Sequence, residues 1–446
     1  MTAESRDHEP ARLLWLQPPM LHPPSKITRR QERIFLLVGL AALFAGYNQS
    51  VFGFALPQIQ ASLHIAEDQV GPTAMAFRIS VLGAMALTTM ADVFGRRRLL
   101  LYTIVGQALA TLGSALAPSY GLFVGCQIAT YLFSGAEMSL CYVVIIEEMN
   151  ASVRGWSVGL LAAMSYMGGG ITSLLFTAVN VMPYGWRSLY AIGAIPLFVV
   201  AFLRRRLPET KRFEIRADDV ERMTSHAQAA LDVVSQLVSQ FPRRVIAGLT
   251  AGFFWAFAGA SAGALGIKYM QQTLGYAPWQ TTLIIIPGGL LALGFNILAG
   301  RFSDRVGRKT VIIGTALLSA ATYALYFSGL RGNWVGMLWA VSFFFSAATD
   351  TLFSALTTEI FPTAYRATIS GLGSLFSAMG AALGLFLEGR LYDLLGGHGP
   401  AVSLLLAGVV IMVGAVALLP EPAGKVLEEI SDEPLAAAPG VRATAE

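Results

Sequence analysis

The sequence predicts an all-α integral membrane protein, with twelve transmembrane helices forming two pseudo-symmetric six-helix bundles and both termini cytoplasmic. Three observations carry this expectation. Of the 446 residues 55% are hydrophobic and only 13% are Asp, Glu, Lys or Arg, a balance that water-soluble domains do not keep. The apolar residues gather in runs of about 20, the length a helix needs to cross a bilayer with every backbone group paired internally. Charged motifs also recur at one fixed spacing along the chain.

The apolar runs fall at 34–56, 69–91, 99–117, 121–146, 156–180, 187–203, 245–272, 280–300, 310–329, 334–358, 367–389 and 401–419. Before them, residues 1–33 carry Pro10, Pro18, Pro19, Pro23 and Pro24 among scattered charges. This reads as a disordered cytoplasmic tail with no apolar core for a secretory signal. Net charge is +4, but its placement says more. With the N-terminus inside, 26 of the 31 Lys and Arg fall on the cytoplasmic side, as the retention of basic residues in short inner loops requires. Topology thus accounts for the basic excess without a nucleic-acid partner. Only Arg187, Lys268, Arg331 and Arg390 fall near the outer side, and Arg78 lies within a span. Lys268 reads as a residue snorkelling to the interface. Cys126 and Cys141 share the fourth span, about 22 Å apart along a helix, so they cannot bridge each other, and they carry no functional signal.

The fixed spacing is 212 residues. Asp92, Gly95 and Arg96 of DVFGRRR match Asp304, Gly307 and Arg308 of DRVGRKT; Glu147 and Arg154 match Glu359 and Arg366; Met167-Gly168 matches Met379-Gly380; Leu207-Pro208-Glu209 matches Leu419-Pro420-Glu421. Several motifs in register, each at the same edge of its span, indicate a duplicated six-helix unit. The expected organisation is a tail (1–33), a first bundle (34–206), a cytoplasmic linker with short amphipathic helices (207–244), a second bundle (245–419) and a disordered cytoplasmic tail (420–446).

These loops, the acid and arginine motifs after spans 4 and 10, and the PET and PEP motifs after spans 6 and 12 resemble the major facilitator superfamily. Within it they are similar to the sugar-porter branch and its proton-coupled metabolite, aromatic-acid and niacin-type relatives. The resemblance implies two bundles that expose a central site to either side in turn, with a breakable inner gate. Asp92, Gly95, Arg96, Glu147, Glu148 and Arg154, with their counterparts Asp304, Gly307, Arg308, Glu359 and Arg366, are the expected gate. Topology alone explains arginines but not the acids, since acids contribute little to orientation.

The resemblance also implies that spans 1, 4, 7 and 10 line the cavity. Span 1 reads AGYNQS, with Asn48 where many proton-coupled members have Asp, and an amide carries no exchangeable charge. Glu137 in span 4 and Asp350 in span 10 lie ten and nine residues before Glu147 and Glu359, about 15 Å into the membrane. Ionisable residues at such depth are functional candidates, so these two are the expected proton carriers. Arg78 either receives an anionic substrate or pairs with Glu137. Asn48, Gln49, Gln127, Trp255 and Asn296 complete the candidate substrate site, although helix packing would explain each of them singly.

No GxxxxGK[ST] loop, HExxH or CxxC pattern occurs, so neither ATP nor a metal is implied and no cofactor is expected. All five histidines lie in tails or loops, which leaves little for a membrane enzyme. Span 7 lacks the QQ…N signature by which hexose carriers resembling this chain hold sugar, Gln271-Gln272 lying too far along the helix to serve, and span 5 lacks the proline pattern of drug antiporters. The expectation is a monomeric secondary transporter in the cell membrane, moving a small carboxylate with protons. A facilitator of a neutral, sugar-like solute and a transporter-like receptor or scaffold are the alternatives.

Overall fold

The computed structural model describes residues 27–89, 96–205, 233–332, 334–362 and 365–422. Among these the chain is helical and has no strand. The helices are α1 (Arg29–Leu63), α2 (Glu67–Thr89), α3 (Arg96–Leu116), α4 (Tyr120–Glu148), α5 (Ala151–Phe176) and α6 (Trp186–Arg204). After the linker follow α7 (Pro242–Gln272), α8 (Pro278–Val306), α9 (Arg308–Phe327), α10 (Val335–Glu359) and α11 (Arg366–Leu395). The run expected as span 12 is two helices, α12 (His398–Leu405) and α13 (Gly408–Ala417). Among the described residues eleven stretches, with α12 and α13 counted as one, are long and apolar enough to cross a membrane. The helix outside that set, α8, is 29 residues long.

Local chemistry sets the ends. Helix α1 starts five residues before the expected span because Thr28 and Gln31 form a capping box, side chain to backbone in both directions, which satisfies orphan N–H groups. It ends at His64, in the left-handed conformation. The turn between α8 and α9 is the single residue Gly307 at φ +112°, a conformation that a side chain disfavours. In the linker, residues 233–240 are helical and residues 206–232 lie outside the described set, as do 1–26 and 423–446.

The chain forms two compact units. One comprises the first six helices together with Ala264–Ile286 and Leu385–Gly396; the other comprises Thr224–Gly263, Pro287–Gly384 and the chain from Gly397 onward. Thus α7, α8 and α11 each contribute one end to the first unit. The core of that unit packs Phe35, Val38 and Ala42 of α1 against Leu140 and Val144 of α4 and Leu197 and Ala201 of α6.

Each unit has a very close helix crossing at equivalent places, and the repeat explains the pair. A Cβ on Gly168 of α5 would overlap the Leu43 carbonyl of α1, and one on Gly380 of α11 would overlap the Phe253 carbonyl of α7. These glycines are the 212-spaced pair, so the motif lets two backbones touch where apolar attraction between helices is weak. Gly170 faces open space. Gly168→Val should therefore lower stability by about 1–3 kcal/mol, the usual cost of overpacking, while Gly170→Ala changes little; thermal unfolding in detergent distinguishes the two.

Candidate functional site

Helix α4 turns Gln127, Thr130, Ser134, Glu137 and Cys141 to the interior of the first unit, and all five are inaccessible. Their spacing of three and four residues puts them on one helical face. Glu137 is fully buried, and its partner is Arg204, the last residue of α6. The Arg204 Nη1 donates to Glu137 Oε1, and Nη2 donates to the Leu37 carbonyl of α1 at 3.2 Å and to Cys141 Sγ at 3.7 Å. From α3 the Thr103 hydroxyl donates to Glu137 Oε2 at 2.5 Å, and the Cys141 thiol donates to Oε1 at 3.4 Å. One carboxylate thus gathers α3, α4 and α6, and its arginine reaches α1.

Sequence reasoning missed Arg204, which it assigned with its two neighbours to the basic cytoplasmic edge, and it gave Cys141 no role. The signal was present in the periodicity: Leu197, Val200 and Ala201 are the buried face of α6, and Arg204 continues it. Arg78, the candidate partner of Glu137, stands apart. It is exposed on α2 and makes no ion pair among the described residues. The ring of its neighbour Phe77 stacks on Tyr131 at 5.2 Å, and the Tyr131 hydroxyl donates to the Gln49 carbonyl at 3.0 Å. Gln49 Nε2 in turn donates to Ser134 Oγ at 2.9 Å. Gln49, Tyr131 and Ser134 therefore form one polar group of α1 and α4, with α2 packed on it through Phe77, the residue before Arg78.

Asn48 is wholly buried, and a Cβ on Gly193 of α6 would meet its Oδ1. Gln127 is equally buried and donates to Ser114 Oγ at 2.8 Å. Both side chains thus lie inside the first unit. In the second unit the Trp255 indole of α7 donates to Asp350 Oδ1 of α10 at 2.5 Å, which brings two candidate residues together. The side chain of Asn296 lies outside the described residues.

The second copy of the gate motif is described in full. Arg308 Nε donates to Glu359 Oε2 at 2.5 Å, and its Nη2 is 3.2 Å from Asp304 Oδ1. Glu421, the acid of the PEP motif, accepts the backbone N–H groups of Arg308 and Lys309 at 2.8 and 3.0 Å. A carboxylate therefore caps the positive end of α9, next to Gly307, where a Cβ would come 3.2 Å from Glu421 Oε2. Arg366 joins this cluster only indirectly, donating to the Phe361 carbonyl at 3.3 Å. In the first copy Asp92, Gly95 and the side chain of Arg96 lie outside the described residues. There Glu148 is 3.5 Å from Arg30, and its carbonyl accepts from Gln31 Nε2 at 2.9 Å, so residues placed in the N-terminal tail take part in the motif. Glu147 and Arg154 flank this contact at the end of α4 and the start of α5.

Lys268 does not snorkel. It is 1% exposed and pairs with Glu67 at the start of α2, because the end of α7 that carries it belongs to the first unit. Beside it, a Cβ on Gly71 would overlap the Leu385 carbonyl of α11.

A sequence model of the Major Facilitator Superfamily matches residues 38–297 and, again, residues 246–441. The chain belongs to the major facilitator superfamily. It is 25% identical over 430 residues to a gallate transporter of Pseudomonas putida, covering 88% of this chain and 92% of the relative. It is also 25% identical over 423 residues to a niacin transporter of Acinetobacter baylyi, covering 88% and 95%. Among solved structures, the inward open conformation of the xylose transporter XylE from E. coli superposes with a TM-score of 0.70 at 21% identity, covering 90% of this chain and 99% of that one. The chain is accordingly a multi-pass transporter of the cell membrane that moves small organic solutes, not an enzyme.

The 212-residue repeat tests what the buried pair is for. Thr103, Glu137 and Arg204 correspond to Thr315, Thr349 and Val416, and Thr349 donates to the Thr315 hydroxyl at 2.9 Å. The fold thus closes the same junction with neutral residues, and buried ion pairs contribute little net stability for their cost. Arg204→Ala, which leaves Glu137 buried and unpaired, should lose about 3–5 kcal/mol. The double change Glu137→Gln with Arg204→Met should recover most of it, measured as thermal stability of the purified protein. Equal losses in the single and double variants would show that the two charges are not coupled.

Proposed function

We propose that the protein imports a small organic carboxylate together with protons, and that Glu137 is the proton carrier. The observation that supports this most directly is the Glu137–Arg204 pair at a junction that the repeat builds without charge. Protonation of Glu137 removes the attraction that holds Arg204 across α1, α4 and α6, so proton binding changes what ties the first unit together. Asp350, held by Trp255, is the second titratable group at comparable depth in the other half. Pro278–Val306 is read as the remaining span, giving twelve, with both termini cytoplasmic and the monomer as the working form.

The carboxylate assignment rests on Arg78. It is an accessible cation within a span, it makes no ion pair among the described residues, and the residue before it, Phe77, packs on Tyr131, which is linked to Gln49 and through it to Ser134. A guanidinium so placed receives a carboxylate through two parallel hydrogen bonds. Relatives named for gallate, niacin and cis,cis-muconate transport agree with this class. Asn48, an amide where proton-coupled relatives resembling this chain have an acid, supports a second reading, facilitated passage of a neutral solute.

Proteoliposome uptake of gallate, nicotinate, muconate and xylose decides between them. Carboxylate uptake should rise as external pH falls, because an inward proton gradient then adds to the solute gradient, and it should collapse with a protonophore. Xylose uptake indifferent to pH would favour the facilitator. Arg78→Ala should raise the carboxylate KM roughly tenfold or more, the equivalent of about 1.5–3 kcal/mol for charge-assisted hydrogen bonds. Glu137→Gln should bind the carboxylate yet lose the pH dependence of uptake.

A further inference from the structure

Along α3, Thr103, Gln107, Thr111 and Ser114 recur at helical spacing, and all four are inaccessible. The register of α3 on α4 is antiparallel: Thr103 meets Glu137, a Cβ on Gly106 would meet Phe133, one on Gly113 would meet Cys126, and Ser114 meets Gln127. That register places Gln107 at the level of Ser134 and Thr111 at the level of Thr130. The two stripes therefore face each other as one polar seam, about 16 Å from Ser114 to Thr103 at the helical rise. Its far end, away from the chain termini, is closed by aromatic residues. Phe123 lies one turn from Gln127 and packs at 5.5 Å on Trp186 and 5.9 Å on Tyr190 of α6.

The seam is polar but incompletely paired. Both amide atoms of Gln107, the Thr111 hydroxyl, Gln127 Oε1, the Tyr190 hydroxyl and the Trp186 indole nitrogen are buried without a hydrogen-bond partner among the described residues; both amide atoms of Asn48, on α1 beside Gly193 of α6, are unpaired as well. Each such atom pays its full desolvation cost if left so, and a bilayer offers none of them relief from outside. Close-packed helices do not keep that many unmet groups together unless something small and polar meets them. The repeat sharpens the contrast. Thr111, Ser114 and Gln127 correspond to Tyr323, Tyr326 and Trp339, so buried rings take these places in the second unit, where the Trp339 indole nitrogen is the one of their polar atoms left unpaired among the described residues. Gln107 corresponds to Ser319, whose hydroxyl donates to the Ser342 carbonyl at 3.1 Å. In compensation, Asn48 and Tyr190 replace Ala260 and Val402, which brings further polar atoms, not apolar filling, into the first unit.

We infer that the α3–α4–α6 seam of the first unit is a water-binding site, and that its ordered waters conduct protons between the Tyr190 end and Glu137. The ligand class is water and hydronium. Each orphan donor or acceptor takes one hydrogen bond from the chain, and Thr103 hands the last proton to Glu137 Oε2. A proton entering at Tyr190 thus appears at the carboxylate while each water passes one on, with no net chemistry in between. The conducting role rests on Glu137 being the proton carrier; the hydration does not.

Two measurements on the full chain in lipid nanodiscs and proteoliposomes test this. Radiolytic hydroxyl labelling reads bound water: Tyr190 should be labelled at least severalfold faster than Tyr326, although both are buried. Equal, slow labelling of the two overturns the hydration. Proton entry into vesicles carrying a trapped pH dye reads conduction during gallate-driven and nicotinate-driven uptake. Thr111→Val and Gln107→Leu, each of which removes polar atoms at near-constant size, should slow proton entry about tenfold while carboxylate affinity, measured by thermal shift, stays unchanged. An unaltered proton rate in both variants, with Tyr190 labelled, overturns the conducting role. Glu137→Gln runs in parallel: proton entry that survives this change removes the carrier assignment, whereas entry lost in Glu137→Gln but intact in the seam variants removes the conduction alone.

Discussion

The first unit is organised around one carboxylate that is fully buried within the protein. Glu137 cannot be charged at that depth without a counter-charge, and Arg204 cannot be buried without Glu137. The two therefore fix where α4 and α6 meet. The remaining guanidinium donors go to the Leu37 carbonyl and Cys141, and the remaining carboxylate oxygen goes to Thr103. Four helices thus answer to one charge balance, and neutralising either member alters all four contacts together. Apolar packing around the pair, from Val38 to Leu197, is non-directional and tolerates either state. The pair supplies the directional term.

The termini end of the second unit uses charge differently. Arg308, Asp304 and Glu359 are partly exposed, with side-chain accessibilities of 19%, 62% and 23%, where a single pair is worth about 0–1 kcal/mol. That is small enough to break within a transport cycle. The two arrangements follow the division the sequence suggested between the repeated loop motifs and the acids at membrane depth. Weak, partly exposed contacts stand at the Arg308 corner, and a fully buried pair stands between α4 and α6.

The architecture was legible because hydrocarbon admits few backbone solutions: apolar runs of sufficient length must be helices, and the 212-residue repeat announced the duplication. The family followed from the same motifs, and the match across residues 38–441 agrees. The contact pattern of individual charges was less legible. Glu137 and Asp350 stand out in any apolar run, but their partners are set by helix rotation, which the sequence encodes only through faint periodicity. Arg204 looked like one of three interchangeable arginines, and only its place on the face of Leu197 and Ala201 marks it as internal. Lys268 looked like an interfacial residue because the packing of its end of α7 with Glu67 is a long-range event. Glu421 was matched to Glu209 as a motif, but its role as a cap needs the fold, since it acts 113 residues back along the chain.

That cap has a consequence for how the chain is made. Helix α9 emerges from synthesis more than a hundred residues before the carboxylate that closes its first turn, so water alone must meet the N–H groups of Arg308 and Lys309 while α10 to α13 are still being added. The Arg308 side chain can find Glu359 earlier, once α10 is complete. At this corner the side-chain partner of Arg308 is therefore synthesised about sixty residues before the carboxylate that caps its backbone.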